Sequence, residues 1–397
     1  MSSPGHVLVV GASAAGLGTA EALRRKGYQG RLTLLGAESG PPYDRPPLSK
    51  QVLSGAWEPD KARLRPQDAL DGLDAAFVLG DPAVSLDAAR RRVETASGRT
   101  LTADVVVVAT GVRARPLPGP GGLRGVHVVR TLDDSAALRA DLVAARRLVV
   151  VGDGVLGAEA AATARLMGLE VCVVGPQPSP MTDQLGPFAA GHLAALHTRN
   201  GVVLRGGTLV ESLLSREGRV AGVRLVGGEE LEADVVVAAI GCTPATDWLA
   251  GSGLELDDGV VCDAYCRAAD GVWAAGDVAR WHHAGVGRPM RLENRANATE
   301  QALAVAGNIL GENRPYLPVP SFWTDQFQVK IQVLGTPTAD ASPEVVDGDP
   351  AQGRFVVRYD APEGPTGVLG WNMPKQTRLH RAVLTDRFTR PPEPAGR

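Results

Sequence analysis

The sequence predicts an α/β fold with two similar parallel-sheet units, because one pattern of buried strand, glycine-rich turn, helix and second strand occurs twice. The first copy starts with the apolar run at residues 7–10, and the second starts with the run at residues 148–151. Two further valine-rich runs, at residues 104–111 and 234–241, are placed as the last strand of each unit. A repeated unit of this kind predicts two doubly wound sheets.

The first copy contains every element of a dinucleotide-binding unit. A strand at residues 7–10 leads into the turn GASAAG at residues 11–16, a helix is expected from Leu17 to about Lys26, and a strand at residues 32–35 ends near Glu38. The helix N-terminus would bind a pyrophosphate, and the acid would bind ribose hydroxyls. Ser13 replaces the middle glycine of the motif, which weakens the match, although a small side chain still lets a phosphate approach.

The second copy has all three glycines in the turn GDGVLG at residues 152–157. A helix is expected to about Met167, followed by a strand at residues 171–174. The acid that usually ends this strand is missing, because Gly175 stands there. Gln177 could bond a ribose hydroxyl, and no Arg or Lys follows nearby to hold a 2′-phosphate.

A further strand at residues 272–275 ends in Gly276 and Asp277, and we expect Asp277 at the start of a helix. Taken alone, this aspartate is more simply an ordinary N-cap than a functional acid.

Composition excludes several classes of protein. The formal net charge is −3 and 44% of the residues are hydrophobic, so a nucleic-acid partner is not expected. The sequence shows no run of about 20 apolar residues and no export signal, so we expect a cytoplasmic protein that does not cross a membrane. The four cysteines form no Cys-x-x-Cys motif, which favours thiols in or near strands over a metal site.

Four further segments complete a family pattern: PYDRPPLSK at residues 42–50, RTLDD at 130–134, RLENRANA at 291–298 and FWTDQF at 322–327. With the two glycine turns, they resemble the single-FAD ferredoxin reductases of bacterial oxygenase systems, within the two-dinucleotide flavoprotein superfamily. The resemblance covers nearly the whole chain. It implies two Rossmann-like dinucleotide-binding domains, as in glutathione reductase, and a C-terminal α+β domain.

The resemblance also implies domain boundaries. The FAD-binding domain would combine residues 1–114 and 243–317, with the NAD(P)H-binding domain inserted at residues 115–242. Residues 318–397 would cover the flavin. Proline- and glycine-rich stretches at residues 116–122 and 315–320 agree with two of these boundaries, and the tail from Pro391 is expected to be disordered.

The resemblance implies FAD-binding residues throughout the first unit and beyond it, namely Gly11, Ser13, Ala14, Ala15, Gly16, Glu38, Arg45, Lys50, Val84, Ala109, Thr110, Gly111, Arg130, Gly276, Asp277, Glu293, Arg295 and Trp323. The implied NAD-binding residues are Gly152, Asp153, Gly154, Val155, Leu156, Gly157, Glu159 and Gly241.

Some of these residues have specific roles in the family. Asp277 would accept a hydrogen bond from the flavin ribityl or a nearby hydroxyl, and the backbones of Val84 and Arg295 would lie at the adenine and the isoalloxazine. Trp323 would lie beside the isoalloxazine, with a core tryptophan as the alternative. Trp371 and Met373 could equally line the flavin or belong to the core.

The catalytic residues implied are Lys50, Glu159 and Trp323. Lys50 and Glu159 are expected to form an ion pair between the two units, close to the flavin N5, where it would position the nicotinamide and balance charge. Pro46 and Pro47 would stiffen the segment that carries the lysine, because proline fixes φ, and Pro47 can start a helix. Disulfide reductases carry a Cys-x4-Cys pair in this region, and this sequence has none.

The implied reaction is hydride transfer from NADH to FAD, with NADPH possible, and then transfer of single electrons to a transiently bound [2Fe-2S] ferredoxin that supplies a cytochrome P450 or a ring-hydroxylating oxygenase. We expect a monomer or weak dimer and no metal site. Candidates for a basic patch facing an acidic ferredoxin are Arg288, Arg291, Arg295, Lys330, Lys375 and Arg378. The alternatives are an NADH oxidase or small-acceptor reductase, and a redox-sensing binding protein like apoptosis-inducing factor.

Overall fold

The computed structural model of the chain describes residues 3–119, 122–338 and 340–389. The tail from Pro391 and two residues of the predicted linker at 116–122 lie outside these ranges. Residues 3–114 form β1 (His6–Val10), α1 (Ala14–Arg25), β2 (Arg31–Leu35), 3₁₀ helices at Pro46–Ser49 and Pro59–Ala62, α2 (Gln51–Ser54), α3 (Gln67–Asp71), β3 (Ala76–Val78), β4 (Ala83–Asp87), β5 (Arg92–Thr95), β6 (Thr100–Thr102), β7 (Val105–Val108) and β8 (Val112–Ala114).

The next part of the chain forms β9 (Val126–His127), α4 (Leu132–Ala144), β10 (Arg147–Val151), α5 (Val155–Leu166), β11 (Glu170–Gly175), α6 (Thr182–Arg199), β12 (Val202–Gly206), β13 (Val210–Arg216), β14 (Arg219–Leu225), β15 (Glu230–Glu232), β16 (Val235–Ala238) and β17 (Cys242–Pro244).

The last part forms a 3₁₀ helix (Asp247–Leu249), β18 (Val260–Cys262), β19 (Arg267–Ala269), β20 (Val272–Ala274), β21 (Ala279–His283), β22 (Arg288–Met290), α7 (Arg295–Ile309), β23 (Ser321–Gln326), β24 (Val329–Gly335), β25 (Ser342–Asp349), a 3₁₀ helix (Pro350–Gln352), β26 (Arg354–Ala361), β27 (Gly364–Trp371), α8 (Pro374–Leu379) and α9 (Ala382–Thr389).

The first large sheet has the strand order β19-β20-β7-β1-β2-β3. Its strands β20, β7, β1, β2 and β3 run parallel, and the valines and leucines of β1 and β7 are buried because helices and loops cover both faces. Helix α1 packs against β1, β2 and α7. Strands from distant parts of the chain therefore bring the ends of β1, β7 and β20 to one edge.

The second large sheet repeats this arrangement with the order β12-β11-β10-β16-β9, and its neighbouring strands are all parallel. The third, β23-β24-β27-β26-β25, is antiparallel and packs with α8 and α9. The predicted α/β fold with an additional C-terminal α+β part is confirmed. The domain boundaries at residues 114, 242 and 317 stay predictions.

Two local predictions differ from the structure. Helix α1 begins at Ala14 rather than Leu17, because the end of the glycine turn already forms the first helical turn. Asp277 does not start a helix: it lies in a turn between β20 and β21. The residues after it alternate, with Ala279, Trp281 and His283 buried and His282 exposed, which is the period of a strand.

Candidate functional site

The first glycine turn closes tightly against the end of β7. A Cβ at Gly11, whose φ is +117°, would lie 2.1 Å from the carbonyl oxygen of Ala109, and a Cβ at Gly16 would lie 1.7 Å from that of Gly11. Both positions therefore require glycine. Ser13 is the N-cap of α1 and forms no capping hydrogen bond with its side chain in the described part of the chain, so Ala14 and Ala15 begin a helix whose first N–H groups stay available.

The structure brings the other predicted loop residues to the same edge. The backbone N–H of Ala109 donates to Val10 O at 2.7 Å, and Thr110 and Gly111 follow directly. A Cβ at Gly276 would lie 2.7 Å from the Cβ of Ala15. The ends of β1, β7 and β20 thus surround the N-terminus of α1.

The second glycine turn repeats this geometry at the end of β16. A Cβ at Gly152 would lie 2.2 Å from Ala239 O, and a Cβ at Gly157 would lie 2.0 Å from Gly152 O. Gly154 caps α5, and Val155 and Leu156 form its first turn. Gly241, with φ of +90°, lies just beyond β16. The two glycine turns therefore have equivalent backbone geometry.

Glu38 is held by two partners from the proline-rich segment. Arg45 Nη2 lies 2.8 Å from Glu38 Oε1, and Tyr43 Oη donates to Glu38 Oε2 at 2.5 Å. Arg45 also donates to the carbonyl oxygen of Arg130. Burial raises the pKa of Tyr43 to about 12, so this hydroxyl stays a donor. Sequence reasoning missed Tyr43, although it lies inside the segment that it singled out.

Val84 lies on β4 at a bulge and is half exposed. Just before it, the N–H of Gly80 donates to Glu38 O at 3.0 Å, and that of Asp81 donates to Gly36 O at 3.1 Å. The strand that carries Val84 therefore starts next to the end of β2. Its expected role at the adenine stays a prediction.

Asp277 lies in a cluster of charged groups. Arg130 Nη2 lies 3.2 Å from Asp277 Oδ2, and Arg291 donates to the Asp277 carbonyl oxygen at 3.1 Å and also binds Glu293. Burial raises the pKa of Asp277, and the nearby charge of Arg130 opposes that rise. Cys242 donates to Glu293 Oε2 at 2.7 Å, so Glu293 already has two partners.

Lys50 and Glu159 form the ion pair that the family resemblance implies. Lys50 Nζ lies 2.7 Å from Glu159 Oε2, with the side chains only 13% and 6% exposed. Ser49 Oγ donates to the same oxygen at 2.6 Å, and Thr324 Oγ1 donates to Glu159 Oε1 at 2.7 Å. The carboxylate thus joins three parts of the chain. Sequence reasoning missed Ser49 and Thr324, the neighbours of two residues that it did select.

The segment before Lys50 is anchored on both sides. Pro46–Ser49 is a 3₁₀ helix with proline in its first turn. Ser135 Oγ donates to Leu48 O at 2.8 Å, and Thr163 Oγ1 donates to Ser49 O at 2.7 Å. The lysine therefore extends from a rigid arm, as its prolines predict.

Trp323 is 41% exposed, so it is not a core tryptophan. It lies on β23 next to the buried Thr324, with its side chain on the opposite face because strand residues alternate. Trp371 does belong to the core: it is 4% exposed and stacks on Phe355 with ring centroids 5.5 Å apart. Met373 is also buried.

Two of the six residues predicted for a basic patch facing ferredoxin are paired with acids. Arg295 Nε is bound to Asp44 Oδ1 at 2.7 Å, and Arg291 is bound to Asp258 and Glu293, so neither is a free surface charge. The remaining candidates are exposed and form no ion pair within residues 3–119, 122–338 and 340–389: Arg288, Lys330, Lys375 and Arg378.

A small pocket lies beyond the ends of β11 and β12. The sequence predicts no Arg or Lys near the end of β11, but the neighbouring strand brings one. Arg205 pairs in register with Val174 and lines the pocket. Gln177 is engaged rather than free: its Nε2 donates to Asp153 Oδ1 at 2.9 Å, and its Oε1 accepts from Asp183 N at 2.7 Å.

The four cysteines are free thiols in or next to strands, as expected. Burial raises the pKa of Cys172 to about 11 and those of Cys242 and Cys266 to about 12, and it raises the pKa of Cys262 as well. The nucleophile in thiol chemistry is the thiolate, so none of these groups is prepared for a disulfide relay.

This leads to a first prediction. At pH 8 a thiol with a pKa near 11 is about 0.1% thiolate, against roughly a quarter for an ordinary cysteine. Iodoacetamide should therefore modify the native protein about a hundredfold more slowly than free cysteine, with turnover retained, as followed by intact-mass spectrometry. Rapid modification of one thiol with loss of activity would instead indicate a thiol relay.

No helix in the described ranges is long and apolar enough to span a membrane.

Comparison with known proteins agrees with this geometry. Residues 5–302 match the family described as pyridine nucleotide-disulphide oxidoreductase, and residues 321–395 match a reductase C-terminal domain. Rhodocoxin reductase of Rhodococcus erythropolis is 36% identical over 98% of this chain and 92% of its own length. The ferredoxin–NAD(+) reductase component of the anthranilate 1,2-dioxygenase system of Burkholderia cepacia is 37% identical over 88% of this chain and 86% of its own.

A solved structure of a covalent putidaredoxin reductase–putidaredoxin complex matches with a TM-score of 0.91 and 31% identity, over 97% of this chain and 94% of that one. The two glycine turns, the absence of a Cys-x4-Cys pair and these likenesses agree. The chain belongs to the pyridine nucleotide-disulphide oxidoreductase family and, within it, to the ferredoxin reductases of oxygenase systems.

Proposed function

We propose that this protein is an FAD-dependent, NADH-oxidising ferredoxin reductase that supplies single electrons to a [2Fe-2S] ferredoxin, and through it a cytochrome P450 or ring-hydroxylating oxygenase. The observation that supports it most is the buried Lys50–Glu159 pair, which joins the arm of the first glycine-turn unit to the helix of the second. The names of the relatives support NAD(+) and ferredoxin as the two partners.

The residues of the first unit fit FAD. Glycines 11 and 16 leave a cradle that a Cβ would fill, and the first N–H groups of α1 would bind the pyrophosphate of the cofactor there. When bound, FAD accepts a hydride and returns electrons one at a time, chemistry that no side chain supplies. Asp277 and Arg130 would bind the hydroxyl chain of the cofactor, and exposed Trp323 would cover its ring.

Lys50 and Glu159 would orient the nicotinamide and balance charge beside the reacting atoms. A buried ion pair is costly to desolvate unless other hydrogen bonds complete it, and Ser49 and Thr324 do so here. Positioning is the purpose that the rigid arm supports, because displacement by about 1 Å can cost a hundredfold in rate.

The surface near the C-terminal sheet would bind ferredoxin transiently. Ferredoxins are usually acidic, and the exposed Lys330, Lys375 and Arg378 supply positive charge there.

Four free thiols support action in the reducing cytoplasm. We infer a monomer or weak dimer.

Rapid-mixing kinetics test the function. We expect NADH to bleach the bound flavin within the time of one turnover, and cytochrome c reduction to rise severalfold or more when a [2Fe-2S] ferredoxin is added. High salt should lower only the ferredoxin-dependent rate, since it screens surface charge. Fast turnover with oxygen and no gain from ferredoxin would indicate an oxidase, and a long-lived reduced complex would indicate a redox sensor.

A further inference from the structure

The pocket beyond β11 and β12 contains a carboxylate that comes from an unexpected place. A ribose-binding acid usually follows the second strand of a dinucleotide unit, and this chain has Gly175 there. A Cβ built on Gly175 would lie 2.2 Å from Cγ of Asp153, the second residue of the glycine turn. The Asp153 carboxylate thus occupies the space that a side chain at residue 175 would enter.

Asp153 is held firmly in this position. Its Oδ2 accepts the backbone N–H of Gln177 at 2.8 Å, and its Oδ1 accepts from Gln177 Nε2 at 2.9 Å. Its carbonyl oxygen accepts from Met181 N at 2.8 Å, and only 5% of the residue is exposed. The hydrogen bonds from Gln177 orient the carboxylate at the rim of the pocket that Gly175 and Arg205 also line.

This carboxylate can accept more hydrogen bonds. Two carboxylate oxygens offer about four acceptor positions, and Gln177 uses two of them. Neighbouring ribose hydroxyls are suitable donors for the remaining positions, whereas a 2′-phosphate brings further negative charge to a buried anion and is repelled.

Arg205 is the residue that could reverse this preference. It is the cation lining the pocket, but Nη2 lies 3.1 Å and Nε 3.2 Å from Glu229 Oε1, so its charge is balanced. With Arg205 bound to Glu229, Asp153 sets the sign of the charge that a nucleotide meets.

We propose that Asp153 binds the adenosine ribose hydroxyls of the pyridine nucleotide and makes the site selective for NADH over NADPH, in place of an acid at residue 175. The inference rests on the proposed function, since it requires the second glycine turn to bind a pyridine nucleotide. Gly175 is then a necessary partner, because any larger residue would displace the carboxylate.

Calorimetry on the FAD-loaded protein tests this without turnover, with ADP-ribose and 2′-phospho-ADP-ribose as probes. Asp153→Asn, which keeps the shape of the side chain, should weaken ADP-ribose binding about tenfold or more and narrow the discrimination against the 2′-phosphate. Gly175→Glu alone should also lose affinity, because the new side chain collides with Asp153. Asp153→Gly combined with Gly175→Glu should restore it, since the acid then follows the strand.

Glu229→Ala serves as the matched surface variant. It releases Arg205 and should improve binding of 2′-phospho-ADP-ribose more than binding of ADP-ribose. The inference about Asp153 would be overturned if Asp153→Asn bound ADP-ribose with unaltered affinity. It would also be overturned if the double variant bound ADP-ribose no more tightly than Gly175→Glu. Neither result would contradict the proposed function. Failure of the parent protein to bind either probe, with a flavin that NADH does not reduce, would overturn the proposed function itself.

Discussion

Replacing Gly157 by alanine should slow reduction of the flavin by NADH severely and leave FAD bound. The new Cβ would lie 2.0 Å from the carbonyl oxygen of Gly152, a backbone atom that moves only if the whole turn opens. Opening it displaces the N-terminus of α5 from the nucleotide, and we expect at least about a hundredfold loss of the reduction rate. Anaerobic rapid mixing with NADH measures this, and dithionite, which needs no nucleotide site, should still reduce the flavin.

Gly16→Ala is the counterpart in the first turn, where the Cβ would lie 1.7 Å from Gly11 O. This variant should lose FAD itself, visible as loss of the flavin absorbance. Gly191→Ala, in the body of α6 with nothing within 4 Å of its Cβ, controls for the substitution and should change neither property. The assignment of one nucleotide to each turn fails if Gly157→Ala loses FAD or if Gly16→Ala keeps it.

Replacing Glu159 by alanine should destabilise the protein and slow its reduction by NADH. The substitution leaves the Lys50 ammonium group buried without its counter-charge, and it removes the acceptor of Ser49 Oγ and Thr324 Oγ1. Breaking a buried pair in this way typically costs about 3–5 kcal/mol of the free energy of unfolding. Urea denaturation of the FAD-loaded protein measures the loss, and the rate of flavin reduction should fall about tenfold or more.

An exposed pair provides the control. Lys26 and Glu312 are also linked, at 2.5 Å, but their side chains are 25% and 39% exposed, so Lys26→Ala should cost less than about 1 kcal/mol. Lys50→Ala separates stability from function. If it binds FAD and is reduced by NADH at the parental rate, the pair has no part in the reaction.

The contrast between prediction and structure is clearest at the two glycine turns and at the pocket beyond β11. The turns are local, because strand, glycine spacing and helix follow one another within a short stretch. Glycine is required in them because a Cβ would collide with a neighbouring backbone carbonyl oxygen. The helix start at Ala14 and the turn at Asp277 differ from the prediction, because the glycine turn merges with its helix and because the residues after Asp277 continue as strand β21.

The sequence by itself determined the α/β fold, the two glycine turns and the rigid arm that carries Lys50, because short-range sterics and the order of elements decide these features. Only the tertiary structure decided that Ser49 and Thr324 also bind Glu159, that Arg291 and Arg295 are paired with acids, and that Asp153 lies against Gly175 beside Arg205. These contacts join residues far apart in the chain, and their charges and distances follow from strand register and packing, which no local pattern records.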